Sequence, residues 1–368
     1  MNIDNFVLRN DEKAIFALRS LYEKYGYSQF KMSKFEEYDL YVRNKDFLVS
    51  DNIITFTDTT GKLMALKPDV TLSIIKNSDD DKNSLKKVYY NENVYRVSKG
   101  SYSFKEIMQV GLECIGDTDE YCIYEVLFLA AESLNSISPD FALDISHLGI
   151  ISEIMDTLEV SSSERQELLK CIGDKNPYGI TAICGDKGEN LKKLIQTYGN
   201  CEKVIPVLNE IFPNEKPDAV NELINIVSAL EEKGYGNKIK IDFSVLNDMN
   251  YYSGIVFRGF INGIPTGILS GGQYDHLMKK MKKKSGAIGF AVYLDMLERL
   301  NETEKEFDVD SVILYDETSS LSDLRRAIDM LTANGKSVIA GKTIPENLKY
   351  NQLLRLQEKG AFTIENNA

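Results

Sequence analysis

The residues best suited to chemistry in this chain are polar side chains set inside apolar runs. Asp69 follows Pro68 at a turn, Gln109 and Glu113 stand four apart in IMQVGLE, and Tyr251 with Tyr252 open a strand-like run after a polar turn. In an extended strand, positions 109, 111 and 113 share one face. Gln109 and Glu113 then point together across Gly111, which has no side chain to obstruct a ligand. Taken singly, such carboxylates are more often solvated or salt-bridged than functional. GGQYDHL (271–277) has the backbone freedom for close approach to a ligand, although a Gly pair at a strand end is usually a turn. Lys279, Lys280, Lys282, Lys283 and Lys284 crowd one stretch, and a solvated basic helix end is a simpler reading than a nucleic-acid contact.

Other chemistries are excluded by what is missing. The chain has no G-x-x-x-x-G-K-[ST], no G-x-G-x-x-G after a strand, no G-x-S-x-G and no H-E-x-x-H. Its five cysteines (Cys114, Cys122, Cys171, Cys184, Cys201) contain no C-x-x-C, and His147 and His276 are its only histidines. Reduced thiols, structural histidines and no metal are therefore expected. Forty-three Lys plus Arg against 56 Asp plus Glu leave a net charge of −13, which argues against a broad nucleic-acid surface. No apolar run approaches the roughly twenty residues that span a bilayer, and MNIDNFVLRNDEK has no basic segment followed by an apolar one. A cytoplasmic protein without membrane contact is expected.

The elements that must position these residues are both helical and extended. With 368 residues, 43% of them apolar, the chain can form one large domain and a smaller companion. Asn10 or Asp11 is placed to cap a helix carrying Ile15, Leu18, Tyr22 and Tyr25, which Gly26 ends. YSQFKMSKFEEYDLY reads as extended, and IITFTDTTGKLMAL as two strands around Thr60 and Gly61. Asp69 or Thr71 is placed to cap the helix that follows. KKVYYNENVYRV and FKEIMQVGLECIG suggest a hairpin, DTDEYCIYEVLFLAAESL a helix and FALDISHLGII a strand. Residues 151–236 read as a mostly helical insertion. Strands resume at KIKIDFSV, YYSGIVFRGFI and PTGILSGG, and AIGFAVYLDMLERL runs from a strand-like start into a helix. NETEKEFD marks a boundary, dividing 1–305 from a small α/β unit at 306–368. The expected class is α+β, an antiparallel sheet flanked by helices.

At these residues a family resemblance emerges. GYSQFKMSKFEEYDLY resembles motif 1 of histidyl-tRNA synthetases, VYRVSKGSYSFKEIMQVGLECIG their motif 2, and SGGQYDHL with AIGFAVYLDML the stretch through motif 3. LKPD resembles the family's Leu-Arg-Pro-Glu, and LNDMNYYSGIVF its histidine-specific Arg-Gly-Leu-Asp-Tyr-Tyr signature. Five ordered matches over residues 5–300 are far more specific than any one. The resemblance implies a class II aminoacyl-tRNA synthetase fold. It also implies that Asp69, Thr71, Gln109 and Glu113 hold the α-ammonium of histidine, while Tyr252 and Tyr274 flank its imidazole.

Departures bear on activity. Asn247 and Met296 stand where the family has arginines, Lys105 replaces another, Ser98 replaces a glutamate, Ser33 the motif 1 proline and Gln273 an arginine; the motif 2 loop is a residue shorter. Activation brings a carboxylate to an ATP phosphate, so fixed arginines must neutralise the transition state. The nucleotide half is therefore expected to be disabled, with Arg96 and Lys105 left as candidates for residual anion binding. A branch of this family with such a profile supplies regulatory subunits of ATP phosphoribosyltransferase, and LKPDVT resembles its Leu-Arg-Pro-Asp-Met-Thr segment. That branch implies a homodimer that assembles with the short-form catalytic subunit, is needed for its activity and takes part in histidine feedback. No cofactor and no tRNA are implied, since the tail from Asp308 to Ala368 is smaller than an anticodon-binding domain. Rival readings are an active, divergent histidyl-tRNA synthetase, for which retained Arg96 speaks, and a free-standing histidine sensor or scaffold.

Overall fold

The structure, a computed structural model, describes residues 8–44, 53–78, 85–98, 103–246, 251–299, 306–357 and 360–366. The chain divides into two compact units, Met1–Leu300 and Asn301–Ala368. The first unit begins with α1 (Asn10–Lys24), β1 (Ser28–Gln29), β2 (Phe35–Glu37), α2 (Tyr38–Val42), β3 (Thr55–Thr57) and β4 (Leu63–Leu66). It continues with α3 (Thr71–Lys76), β5 (Lys86–Val97), β6 (Phe104–Gly116), α4 (Glu120–Ile137) and β7 (Phe141–His147). A mainly helical run follows: α5 (Leu148–Asp156), α6 (Ser162–Gly173), α7 (Pro177–Cys184), α8 (Glu189–Gln196), β8 (Tyr198–Gly199), α9 (Cys201–Ile211) and α10 (Asp218–Leu230). The unit closes with β9 (Ile239–Asp242), β10 (Ile255–Ile261), β11 (Leu269–Gln273), α11 (Asp275–Lys280) and β12 (Gly286–Tyr293).

Nine strands form the main sheet in the order β1-β5-β6-β12-β11-β10-β7-β9-β8. Its pairings are antiparallel except β1 with β5 and β7 with β9. A sheet of this kind buries alternate residues on each face. On the back, Leu112, Ile145, Phe257 and Phe290 share a core with Leu18 and Tyr22 of α1 and Val126, Ala130 and Leu134 of α4. Burying each of the Leu, Ile, Val and Phe side chains contributes about 1.5–3 kcal/mol. Glu125 of α4, 4% exposed, accepts from Lys87 Nζ at 2.6 Å and the Tyr27 hydroxyl at 3.2 Å, so this buried charge is paired. On the front, Val88, Tyr90 and Val94 pack with Leu72 and Ile75 of α3 and with Tyr251 and Tyr274. The helix and the tyrosines therefore cover the face that carries Gln109, Gly111 and Glu113.

Local expectations differ from the structure at several points. Helix α1 starts at Asn10, and Glu12 Oε2 accepts the Arg9 N–H at 2.9 Å, so Asn10 lies inside the helix instead of capping it. Gly26 does follow its end, at φ +81°, a conformation glycine adopts without strain. Tyr38–Val42 is a helical turn where an extended run is expected. The strand read through FALDISHLGII stops at His147, because the His147 Nδ1 accepts the Gly149 N–H at 3.0 Å and caps α5. Tyr251 and Tyr252 precede β10 instead of opening it, and Leu294–Arg299 is a 3-10 turn.

The second unit has β13 (Val309–Leu314), α12 (Leu321–Ala333), β14 (Val338–Gly341), β15 (Tyr350–Gln357) and β16 (Gly360–Asn366), in the sheet order β14-β13-β15-β16. Ser320 caps α12 by accepting the Asp323 N–H at 3.2 Å.

Candidate functional site

Asp69 sits half-buried at the head of α3, where its Oδ1 accepts the Leu72 N–H at 2.9 Å and caps the helix. Strand β5 fastens the segment before it. Lys67, fully buried, donates to Glu92 Oε2 at 2.8 Å; the Tyr95 N–H donates to the Lys67 carbonyl at 2.9 Å; Arg96 Nε donates to the Pro68 carbonyl at 3.2 Å. Burial raises the pKa of Asp69, against the Leu72 N–H and the Arg96 charge.

Glu113 is 2% exposed. Its Oε1 accepts from Thr71 Oγ1 at 2.8 Å and its Oε2 from the Tyr274 hydroxyl at 2.6 Å. Burial pushes its carboxyl up to about 8; the two hydroxyls oppose that rise and the Asp69 charge adds to it. Two glycines make the room. A Cβ on Gly289, paired with Glu113 across β6 and β12, would collide with the Glu113 carboxylate, and one on Gly111 with the Tyr90 hydroxyl.

The aromatic wall comes from two segments. Tyr251 lies 4.7 Å from Tyr252 and 5.8 Å from Tyr274 between ring centroids. A Cβ on Gly272 would approach the Tyr252 ring to 2.7 Å. Gln273, where the resemblance expects an arginine, is 8% exposed; its Oε1 accepts the Ile255 N–H at 2.6 Å and its carbonyl the Ser253 N–H at 3.0 Å. It is a brace that fixes the Tyr251–Tyr252 turn on β11.

Hydrogen bonds thus join Thr71, Glu113 and Tyr274, Asp69 acts on Glu113 through its charge, and Tyr252 lies tilted against Tyr251, which itself packs on Tyr274. Gln109, 3% exposed, lies two positions from Gly111 on the same face of β6. Arg96 and Lys105 are opposite each other near the outer end of the β5–β6 hairpin, Arg96 half-buried and Lys105 exposed. Only Arg96 is tied to the Asp69 segment by a hydrogen bond. Met296, where the resemblance also expects an arginine, accepts from Thr266 Oγ1 at 3.8 Å. Asn247 lies outside the described residues. Among the described residues no three His, Cys, Asp or Glu side chains are grouped to hold a metal ion, and no helix is long and apolar enough to cross a membrane.

The sequence reading did not single out Tyr90, Gly289, Arg258 or Tyr293. Residues 289, 291 and 293 alternate onto the site face in β12, and Arg258 is a charge inside an apolar strand; period-2 counting carried one strand further reaches all three front positions. Acidic and amide oxygens beside a tyrosine wall, on the face of an antiparallel sheet that α3 covers, are the arrangement of a class II aminoacyl-tRNA synthetase fold.

Comparison with known proteins agrees. Residues 7–297 match the family model for histidyl-tRNA synthetase, and the chain belongs to that family. An ATP phosphoribosyltransferase regulatory subunit of Oceanobacillus iheyensis is 29% identical over 290 residues, 76% of this chain and 71% of the relative. Among solved structures, an ATP phosphoribosyltransferase regulatory subunit/histidyl-tRNA synthetase from Bacillus halodurans superposes with a TM-score of 0.71 at 21% identity, covering 92% of both chains. A chain of an ATP phosphoribosyl transferase complex from Thermotoga maritima gives 0.61 at 22% identity, over 77% of this chain and 97% of that one. At such identities the structural likeness speaks for the fold.

Proposed function

We propose that this chain is a non-catalytic regulatory subunit of ATP phosphoribosyltransferase, an intracellular protein of histidine biosynthesis that binds free histidine. It pairs with itself and assembles with the short-form catalytic subunit, which needs it for activity and is inhibited through it by histidine. The observation that carries this reading is an asymmetry within the site. Asp69, Thr71, Gln109, Glu113, Tyr252 and Tyr274, the residues that the resemblance assigns to histidine, gather around the Thr71–Glu113–Tyr274 hydrogen bonds, whereas Met296 stands where the resemblance expects an arginine for the nucleotide. Glu113 is a buried acid whose oxygens accept from two hydroxyls, and a ligand's ammonium would supply the missing charge. The curated relative and the Thermotoga maritima complex support the partner.

The test is reconstitution. Mixing the purified chain with a short-form ATP phosphoribosyltransferase catalytic subunit is expected to yield a hetero-oligomer, raise transferase activity and make it histidine-sensitive. Separate elution with no gain in activity overturns the assignment. An active synthetase is the reading favoured by Arg96 alone, and it is tested by the exchange assay in the Discussion.

A further inference from the structure

Beside the ammonium-binding oxygens, the same sheet face carries a cationic corner. Strands β6 and β12 pair Gln109 with Tyr293, and the Tyr293 N–H donates to the Ile268 carbonyl at 2.7 Å. The residue therefore stands on the front face between the amino-acid pocket and the start of β11. Arg96 reaches toward it from β5: its Nε bonds the carbonyl of Pro68, one residue from Asp69, and its charge acts on the Tyr293 phenol. Arg258 comes from the other side. It is in register with Ser270 across β10 and β11, and its stem lies over Gly267, where a Cβ would come within 2.8 Å of the Arg258 Cγ. Gly267 thus leaves room for the Arg258 stem on this face. Burial raises the Tyr293 phenol, the Arg96 charge opposes that rise, Asp69 adds to it and Arg258 opposes it. Arg96 and Arg258 thus stand on strands on either side of β12, and both charges act on the one phenol.

A free α-amino acid presents a carboxylate next to its ammonium. Asp69 and Glu113 would repel that carboxylate unless cations faced it, so a pocket selective for the zwitterion needs both signs of charge side by side. We propose that Arg96 and Arg258, bridged by Tyr293, form the carboxylate end of the pocket, so that the site takes a free α-amino acid and rejects the same molecule with a neutral carboxyl derivative. This rests on the histidine reading above and adds a specificity device to it. A phosphate could use the same two arginines, so ATP is a separate arm of the test.

The experiment is calorimetric titration of the full chain with histidine, histidinamide and ATP, for wild type, R258Q, R258K and Y293F. Wild type is expected to bind histidine at least about tenfold more tightly than histidinamide, the scale of one charge-assisted hydrogen bond. R258Q is expected to weaken histidine by about tenfold and leave histidinamide unchanged, with R258K recovering part of the loss. Y293F should shift histidine in the same direction. Arg258 is exposed, and thermal unfolding of each variant confirms that the fold is kept. Equal weakening of both ligands, or of neither, overturns the clamp and leaves the histidine pocket standing. Failure of wild type to bind either one overturns both readings. ATP binding that R258Q removes reassigns the arginines to a phosphate and overturns the clamp.

Discussion

The Glu113 carboxylate occupies the space that a side chain on Gly289 would fill. The two residues are directly paired across β6 and β12, and the acid lies over the glycine. Gly289→Ala should therefore push Glu113 away from Tyr274 and Thr71. Overpacking of this kind costs about 1–3 kcal/mol of stability, read from urea unfolding. Histidine affinity should drop by more than about tenfold, the scale of a lost charge-assisted contact. Unaltered binding in a stably folded Gly289→Ala would mean that Glu113 is not a ligand.

The raised Glu113 carboxyl gives the protein a pH signature. Folded Glu113 keeps its proton up to about 8, whereas the unfolded chain releases it near 4.5. The stability it contributes is complete below the unfolded value and is lost as pH rises through the folded one, by up to about 1.4 kcal/mol per unit in between. Unfolding free energies of wild type and Glu113→Gln, measured from pH 5 to 8, should diverge in that sense, with the variant the flatter of the two. Histidine needs the ionised acid, so its binding should release a proton and tighten from pH 6.5 toward 8. Calorimetry in buffers of different ionisation enthalpy counts that proton. At neutral pH, Glu113→Gln should weaken histidine by about 1–3 kcal/mol.

Much of this site was legible because strand periodicity is strict. Counting by twos places Gln109, Gly111 and Glu113 together, and Asp69 before Thr71 has the form of a helix cap. Less legible were contacts made across the sheet. That Gly289 clears room for Glu113, or that Gln273 braces the Tyr251–Tyr252 turn through the Ile255 N–H, depends on β-strand register, which one sequence does not specify. His147 misled for a related reason. The strand-like run through it is apolar on both sides, and only its ring nitrogen on the Gly149 N–H turns the chain into α5.

Lys67 and Glu92 form the anchor beneath Asp69, with Lys67 fully buried and Glu92 17% exposed at its side chain. Lys67→Met leaves Glu92 facing an apolar neighbour and should cost about 2–4 kcal/mol. Because the partner acid is the main source of that cost, Lys67→Met with Glu92→Leu should recover most of it. A double-mutant cycle in urea checks the recovery. The histidine affinity of the double variant then reports whether the ion pair also holds Asp69 in place.

Adenylate formation should be absent. Joining a carboxylate to an ATP phosphate places anions against each other, and the enzyme must meet them with fixed cations. Here Met296 and Asn247 stand at two positions of expected arginines, Lys105 is exposed at the end of β6, and Arg96 is bonded to the Pro68 carbonyl. Losing a single preorganised donor typically costs about a hundredfold or more in rate. Several losses together should bring histidine-dependent ATP–pyrophosphate exchange below detection, although their effects need not multiply. Restoring one position, Met296→Arg, is expected to rescue nothing, because the positions of Asn247 and Lys105 still lack their arginines. Exchange that depends on histidine and disappears in Arg96→Ala would make the chain a working synthetase and reverse the assignment.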